Sequence, residues 1–175
     1  MLGVLHTCCA TLALLLGAVI LLTRKGTVVH VRLGWIYLLS MTAMNLLALF
    51  LYHITGGFNV FHIIAIISLA TVVAAMVQIA MRAQIRRWLW RHYQYMTWSY
   101  VSLLAGACNE TFVHIQFMRH LAATWGKGLP LVASAVIVAA SAWVIFRCQR
   151  TILIKYGWAD AETRYGEFRQ ARSAD

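Results

Sequence analysis

The sequence has few charged residues, few acids and almost no proline. Only 11% of its 175 residues are charged, whereas a soluble domain carries about 25%. Five residues are acidic and one is proline, while 62% are hydrophobic. This composition excludes an ordinary soluble domain and leaves no room for a second one. It predicts a single membrane-embedded unit with a short tail.

Recognisable site motifs are also missing. Cys8 and Cys9 are adjacent, Cys108 and Cys148 stand alone, and none of the four has metal-ligand spacing. The sequence contains no phosphate-binding loop, nucleophile elbow, zinc-protease motif or dinucleotide fingerprint. These absences exclude familiar soluble-enzyme chemistry and leave open whether the protein is an enzyme.

Long hydrophobic runs are abundant. Crossing about 30 Å of hydrocarbon takes about 20 mostly apolar residues, and five stretches of that length contain no Lys, Arg or Asp. They span residues 2–22, 33–54, 58–81, 93–118 and 129–146. The fourth stretch alone contains a glutamate, Glu110. The sequence therefore predicts an all-α integral membrane protein, with a five-transmembrane-helix bundle in residues 1–155 and a tail in residues 156–175.

The positions of Lys and Arg predict the orientation of this bundle. Thirteen of the 15 lie in the first connection, the third connection and the tail, and only Arg119 and Lys127 lie on the other side. Basic loops stay in the cytoplasm, so the N-terminus is expected outside and the tail inside. Arg24 and Lys25 follow the first span rather than precede it, so we expect that span to be retained. The clustering accounts for the net charge of +10 without nucleic acid as a partner.

Glu110 and His114 are the first candidates for chemistry. A carboxylate inside a membrane span is costly unless it is protonated, paired or hydrated, so it is a functional hypothesis by default. His114 lies one helical turn further on, where the two side chains can share a proton or a ligand. The helical period also places Glu110 in line with His92 and Ser99. We predict a proton relay at Glu110 and His114, with a packing seam as the alternative.

The seven histidines fall into two layers once the helices are oriented. Two opposed imidazoles at one depth are what a b-type haem requires, because iron takes an axial ligand from each side of the porphyrin. His30 and His92 supply such a pair at the inner boundary. The outer layer contains His6, His53, His62, His114 and His120. There, His62 with His114 or His53 would provide the pair.

A transition metal is the alternative cofactor. Imidazole and carboxylate together suit zinc, copper or iron. The metal set predicted from the sequence is His6, His62, Glu110 and His114. Asn45 and Gln78, the other strongly polar membrane residues, are expected to form interhelical hydrogen bonds.

Aromatic residues gather where the sequence predicts membrane interfaces. We interpret them as interfacial anchors rather than as ligand-stacking groups. They are Trp35, Tyr37, Trp88, Trp90, Tyr93 and Tyr95.

Three motifs carry a resemblance to a known family. They are KGTVVHVRLGWIY at 25–37, FHIIAIIS at 61–68 and HYQYMTWSY at 92–100. In this order and spacing, they resemble an uncharacterised family of bacterial multi-pass membrane proteins, domain of unknown function 2306. The resemblance implies a bacterial inner-membrane location and places His30, Gly34, His62 and His92 at the family's recurrent positions. It implies no activity, and Val31 stands where members often have a basic residue.

Three functions follow as hypotheses. The leading one is a redox membrane protein that holds a b-type haem, or a transition metal, between helices two to four and exchanges electrons with a quinone-like lipid. The second is a proton-coupled small-solute transporter that uses Glu110 and His114 and works as a homodimer, because five helices are few for a lone transporter. The third is an accessory subunit that docks a membrane partner.

Overall fold

The computed structural model describes residues 1–51, 56–58, 60–85, 87–126 and 128–155. Within these residues the chain forms six α-helices and no strand. The helices are α1 (Leu2–Leu22), α2 (Val28–Ala48), α3 (Val60–Ala80), α4 (Trp88–His114), α5 (Gln116–Trp125) and α6 (Leu129–Lys155). The all-α prediction is confirmed for the described part of the chain.

Three of these helices are long and apolar enough to cross a membrane. They are α1, α2 and the segment Phe61–Ala80 of α3. A fourth crossing would come from α5 together with Leu129–Ile145 of α6, which meet at an angle of 102°. The membrane character is therefore confirmed, while five crossings and their orientation stay predictions.

Helices α1 to α4 pack as a ring. Each packs against the next in the chain, and α4 closes the ring onto α1. α6 lies against α4, and α5 contacts both of them. α4 therefore has protein neighbours on several sides, which explains how a helix more polar than the first three is accommodated. Its Ser99, for example, is completely buried.

The bounds of α2 differ from the predicted span 33–54. The helix begins at Val28, because the Thr27 hydroxyl accepts a hydrogen bond from the backbone N–H of His30 at 3.2 Å and caps the N-terminus. Arg32 lies inside the helix, so the uncharged stretch used for the prediction begins five residues after the helix does. The helix ends at Ala48. His53, in the remainder of the predicted span, lies outside the described residues.

The fourth predicted span, 93–118, is wrong at its far end. α4 stops at His114, Ile115 adopts an extended conformation, and the chain turns into the separate helix α5. α5 is amphipathic, with Arg119 and His120 among its exposed residues. A continuous hydropathy window could not detect this break, because apolar residues lie on both sides of it.

Two aromatic residues predicted to be interfacial anchors are instead buried. Tyr37 is 2% exposed and Tyr93 is 7% exposed. Tyr37 belongs to a core cluster with Ala13, Met41 and Val72. Because α2 begins five residues before the predicted span, Tyr37 lies nearly three turns inside the helix rather than at its entrance. Its depth follows from that shift.

Gly17 of α1 allows the closest approach between α1 and α4. A Cβ atom at this position would lie 2.3 Å from two ring carbons of Tyr100 and 3.2 Å from Tyr37 Cε2. The Tyr100 ring cannot swing aside without cost, because its hydroxyl donates a hydrogen bond to the Leu14 carbonyl at 3.2 Å. Gly17 thus permits the contact that closes the ring of helices.

We expect Gly17→Ala to destabilise the fold by about 1–3 kcal/mol, the usual cost of overpacking a well-packed site. The measurement is thermal or denaturant unfolding of the protein in detergent micelles. Gly3→Ala is the matched control on the same helix, because nothing lies within 4 Å of a Cβ there. Equal stability of the two variants would contradict this packing.

Candidate functional site

Basic side chains surround one end of the helical ring, where α1 and α3 end and α2 and α4 begin. We call it the basic end. Five of its arginines are exposed and Lys25 is half-buried. These arginines are Arg24, Arg32, Arg82, Arg87 and Arg91. Two helix N-termini and two helix C-termini meet here, so their dipoles offset one another, and it is the basic side chains that make this end favour anionic groups.

His92 is held in a defined orientation at the basic end. Its Nδ1 lies 3.0 Å from the carbonyl oxygen of Ala75 on α3. A carbonyl can only accept, so Nδ1 is the donor, and in the neutral ring Nε2 carries the lone pair. Metal-binding histidines are oriented by this kind of bond through their second nitrogen.

His30 of α2 is the second histidine at the basic end. It lies close enough to Lys25 and to His92 for their charges to act on it. Its Nδ1 is buried and has no hydrogen-bond partner among the described residues. The predicted proximity of His30 and His92 therefore has electrostatic support, with one imidazole from each of two helices.

Lys25 joins the end of α1 to this group. Its ammonium donates hydrogen bonds to the carbonyls of Ile20 and Leu21, the latter at 3.1 Å. These carbonyls belong to the last turn of α1, which lacks intrahelical partners. Burial lowers the pKa of Lys25, because the charged form loses hydration. Lys25 thus places positive charge beside His30.

Gln78 of α3 is a further polar residue at the basic end. It is 7% exposed, and its Nε2 donates to the Ala74 carbonyl of its own helix at 3.4 Å. Its Oε1 is buried without a hydrogen-bond partner among the described residues. The interhelical hydrogen bond predicted for Gln78 is thus not among those that the structure describes.

Side-chain hydrogen bonds join the helices deeper in the bundle. The Tyr37 hydroxyl lies 3.0 Å from Ser99 Oγ. The amide of Asn45 donates to Ser68 Oγ at 3.2 Å, and Ser102 lies 3.5 Å from the same oxygen. These bonds join α2, α3 and α4 and confirm the interhelical role predicted for Asn45.

The predicted polar stripe of α4 fails at Glu110. His92 and Ser99 face the ring, whereas Glu110 is exposed on the surface of the bundle. Here α4 contacts α6 through Asn109, whose amide donates to Ser134 Oγ at 2.7 Å. Glu110 is one residue on, about 100° round the helix, and so points away from that contact.

Two histidines of the predicted outer layer make contacts with residues outside that layer. His62 is 1% exposed, with its ring centroid 5.1 Å from that of Phe58. His6 Nδ1 lies 3.0 Å from the Met44 carbonyl oxygen. The side chain of His114 is outside the described part. Among the side chains that are described, no three His, Cys, Asp or Glu residues converge as a metal site. The outer metal set and the proton relay stay predictions.

Comparison with known proteins gives a family and a location. The family profile DUF2306, whose description is a predicted membrane protein, matches residues 3–154. No curated protein and no solved structure matches the chain significantly. The family match covers all six helices except the first and last residues, and it supplies no activity.

Proposed function

The chain belongs to the DUF2306 family of predicted membrane proteins, and we propose that it is a membrane redox protein that holds one b-type haem between His30 and His92. The observation that carries this proposal is that His92 of α4, held by the Ala75 carbonyl, and His30 of α2, whose Nδ1 is buried, lie at the same end of the ring. His30 and His92 would hold such a haem from two different helices.

The hydrogen bond of His92 supports a role as ligand. Because Nδ1 donates to the Ala75 carbonyl, Nε2 is directed away from that bond and keeps its lone pair. The bond fixes the plane of the ring and increases its basicity. His30 has no such partner on Nδ1 among the described residues, so either of its tautomers is available to a ligand.

The positive charge of the basic end suits the propionate groups of a haem. A haem carries two propionate carboxylates, and carboxylates form bidentate pairs with arginine. The exposed arginines and Lys25 provide cations on the side where the two histidines lie. The residues present therefore fit the group.

A haem held by His30 and His92 would supply reversible transfer of one electron at a time. A quinol loses two electrons and two protons when it is oxidised, so such a group could accept its electrons in two separate transfers. We assign the exchange to a quinone-like lipid because both partners then share the bilayer. The proposal includes five crossings, the N-terminus outside and the basic end in the cytoplasm of a bacterial inner membrane.

The test is an absorption spectrum and a metal analysis of detergent-purified protein from haem-replete cells. We expect a Soret band, a reduced-minus-oxidised spectrum typical of a b-type haem, and about one iron per chain, as two axial histidines require. A protein without a Soret band or bound transition metal would contradict the proposal. If that protein instead copurified with one stoichiometric partner, the accessory-subunit hypothesis would take its place.

A further inference from the structure

Two buried atoms at the basic end have no hydrogen-bond partner among the described residues. They are Nδ1 of His30 and Oε1 of Gln78. Buried polar atoms are normally hydrogen-bonded, and an exception calls for a ligand, a water or a functional role. Two such atoms at one end of a bundle suggest a polar molecule that satisfies both.

Both residues lie at the end of the ring where His92 is held. Gln78 is three residues after Ala75, whose carbonyl accepts from His92, and residues three apart lie on one face of a helix. His30 interacts electrostatically with His92 from α2, and α2 packs against α3. Residues from three helices therefore border one region at the end of the ring.

The chemistry of these two atoms is complementary. An amide oxygen can only accept a hydrogen bond. If His30 uses Nε2 as a haem ligand, its Nδ1 carries the proton and donates. A suitable molecule therefore has a hydrogen-bond acceptor and a hydroxyl donor, and the apolar helices around the site favour a molecule that is otherwise mostly apolar. Quinones and quinols have both, together with a tail that the apolar helices can accommodate.

We propose that His30 Nδ1 and Gln78 Oε1 form the binding subsite for a quinone headgroup. The imidazole N–H donates to one ring oxygen, and the carboxamide oxygen accepts from the quinol hydroxyl. This inference rests on the proposed function, because haem ligation through Nε2 makes His30 Nδ1 a donor. It adds Gln78 to the site as the residue that distinguishes a quinol from an apolar lipid.

The test uses the fluorescent quinol analogue heptyl-hydroxyquinoline N-oxide, which has a hydroxyl donor and an oxide acceptor. Its affinity is measured by fluorescence quenching on purified full-length protein. We expect Gln78→Met, which keeps the length of the side chain, to weaken binding about tenfold or more, as loss of one buried hydrogen bond implies. Gln78→Glu keeps an acceptor and should largely restore binding. Gln84→Met, at an exposed position, should leave binding unchanged.

The Soret band and the melting temperature are recorded for every variant, so that the two proposals fail separately. Unchanged binding to Gln78→Met, or no binding to the wild-type protein, would overturn this subsite even if haem is present. Loss of binding in a folded Gln78→Met protein that retains its haem supports it. If Gln78→Met alone loses binding and the wild-type protein contains no haem, the result supports the subsite and contradicts the proposed function.

Discussion

His92→Leu is expected to yield a folded protein with less than about a tenth of the wild-type haem. The substitution removes one of the two histidines proposed to hold the haem, and the remaining one would have to hold it alone in a site built for two. The fold should survive, because the Ala75 carbonyl lies inside α3 and keeps its intrahelical hydrogen bond. Losing the bond from His92 costs about 1 kcal/mol. The measurements are the Soret absorbance per chain and the melting temperature.

Three further variants make this prediction specific. His30→Leu should lose haem to the same extent, because either ligand is required. His120→Leu should retain it, since His120 is exposed on α5. Full haem content in both His30→Leu and His92→Leu would contradict the site at the basic end. If His62→Leu then lost the haem, the pair would lie in the outer layer instead.

Much of the fold could be predicted, because hydrophobic length is a local property of the sequence. α1 occupies the residues of the first predicted span, and α3 differs from the third by two residues at its start and one at its end. The errors fall at Thr27 and Ile115. The Thr27 side chain caps the start of α2, and Ile115 ends α4 within apolar sequence. Neither feature changes the hydropathy on which the prediction was based.

The candidate site was predictable only where residues recur at helical spacing. The depth of His30 and His92 in their helices predicts that both lie at the basic end, where both helices begin, while their pairing stays a prediction. The buried state of Tyr37 was missed, although it stands seven residues after His30 on the same face of α2. The exposure of Glu110 could not be predicted, because it depends on the contact between Asn109 and α6.

The role of Gln78 was also beyond the sequence. A glutamine in an apolar helix predicts a hydrogen bond to a neighbouring helix, and Asn45 forms one with Ser68. Gln78 uses its amide N–H on its own helix and leaves the oxygen buried without a described partner. That difference depends on the packing of α2, α3 and α4, which no local pattern contains.

Reporter fusions are expected to show the basic end in the cytoplasm. Alkaline phosphatase should be inactive when inserted after Gly26 or fused after Asp175, and active when inserted after Gly57 or Gly126. Green fluorescent protein should give the opposite result at each site. The physical reason is that 13 of the 15 Lys and Arg residues lie on the predicted inner side, and positively charged segments are retained in the cytoplasm.

The fusion after Asp175 also decides whether α6 crosses the membrane. α5 and the first part of α6 meet at 102°. This angle allows two arrangements: α5 lies on the membrane surface and α6 crosses the membrane, or the two helices form a re-entrant pair. A crossing α6 places Gly126 and Asp175 on opposite sides, whereas a re-entrant pair places them on the same side. The pairing of His30 with His92 arises from the packing of α2, α3 and α4 and survives either result. An active phosphatase after Gly26 would instead show that the basic end faces outwards. In the proposed function, protons from quinol oxidation would then be released outside the cell.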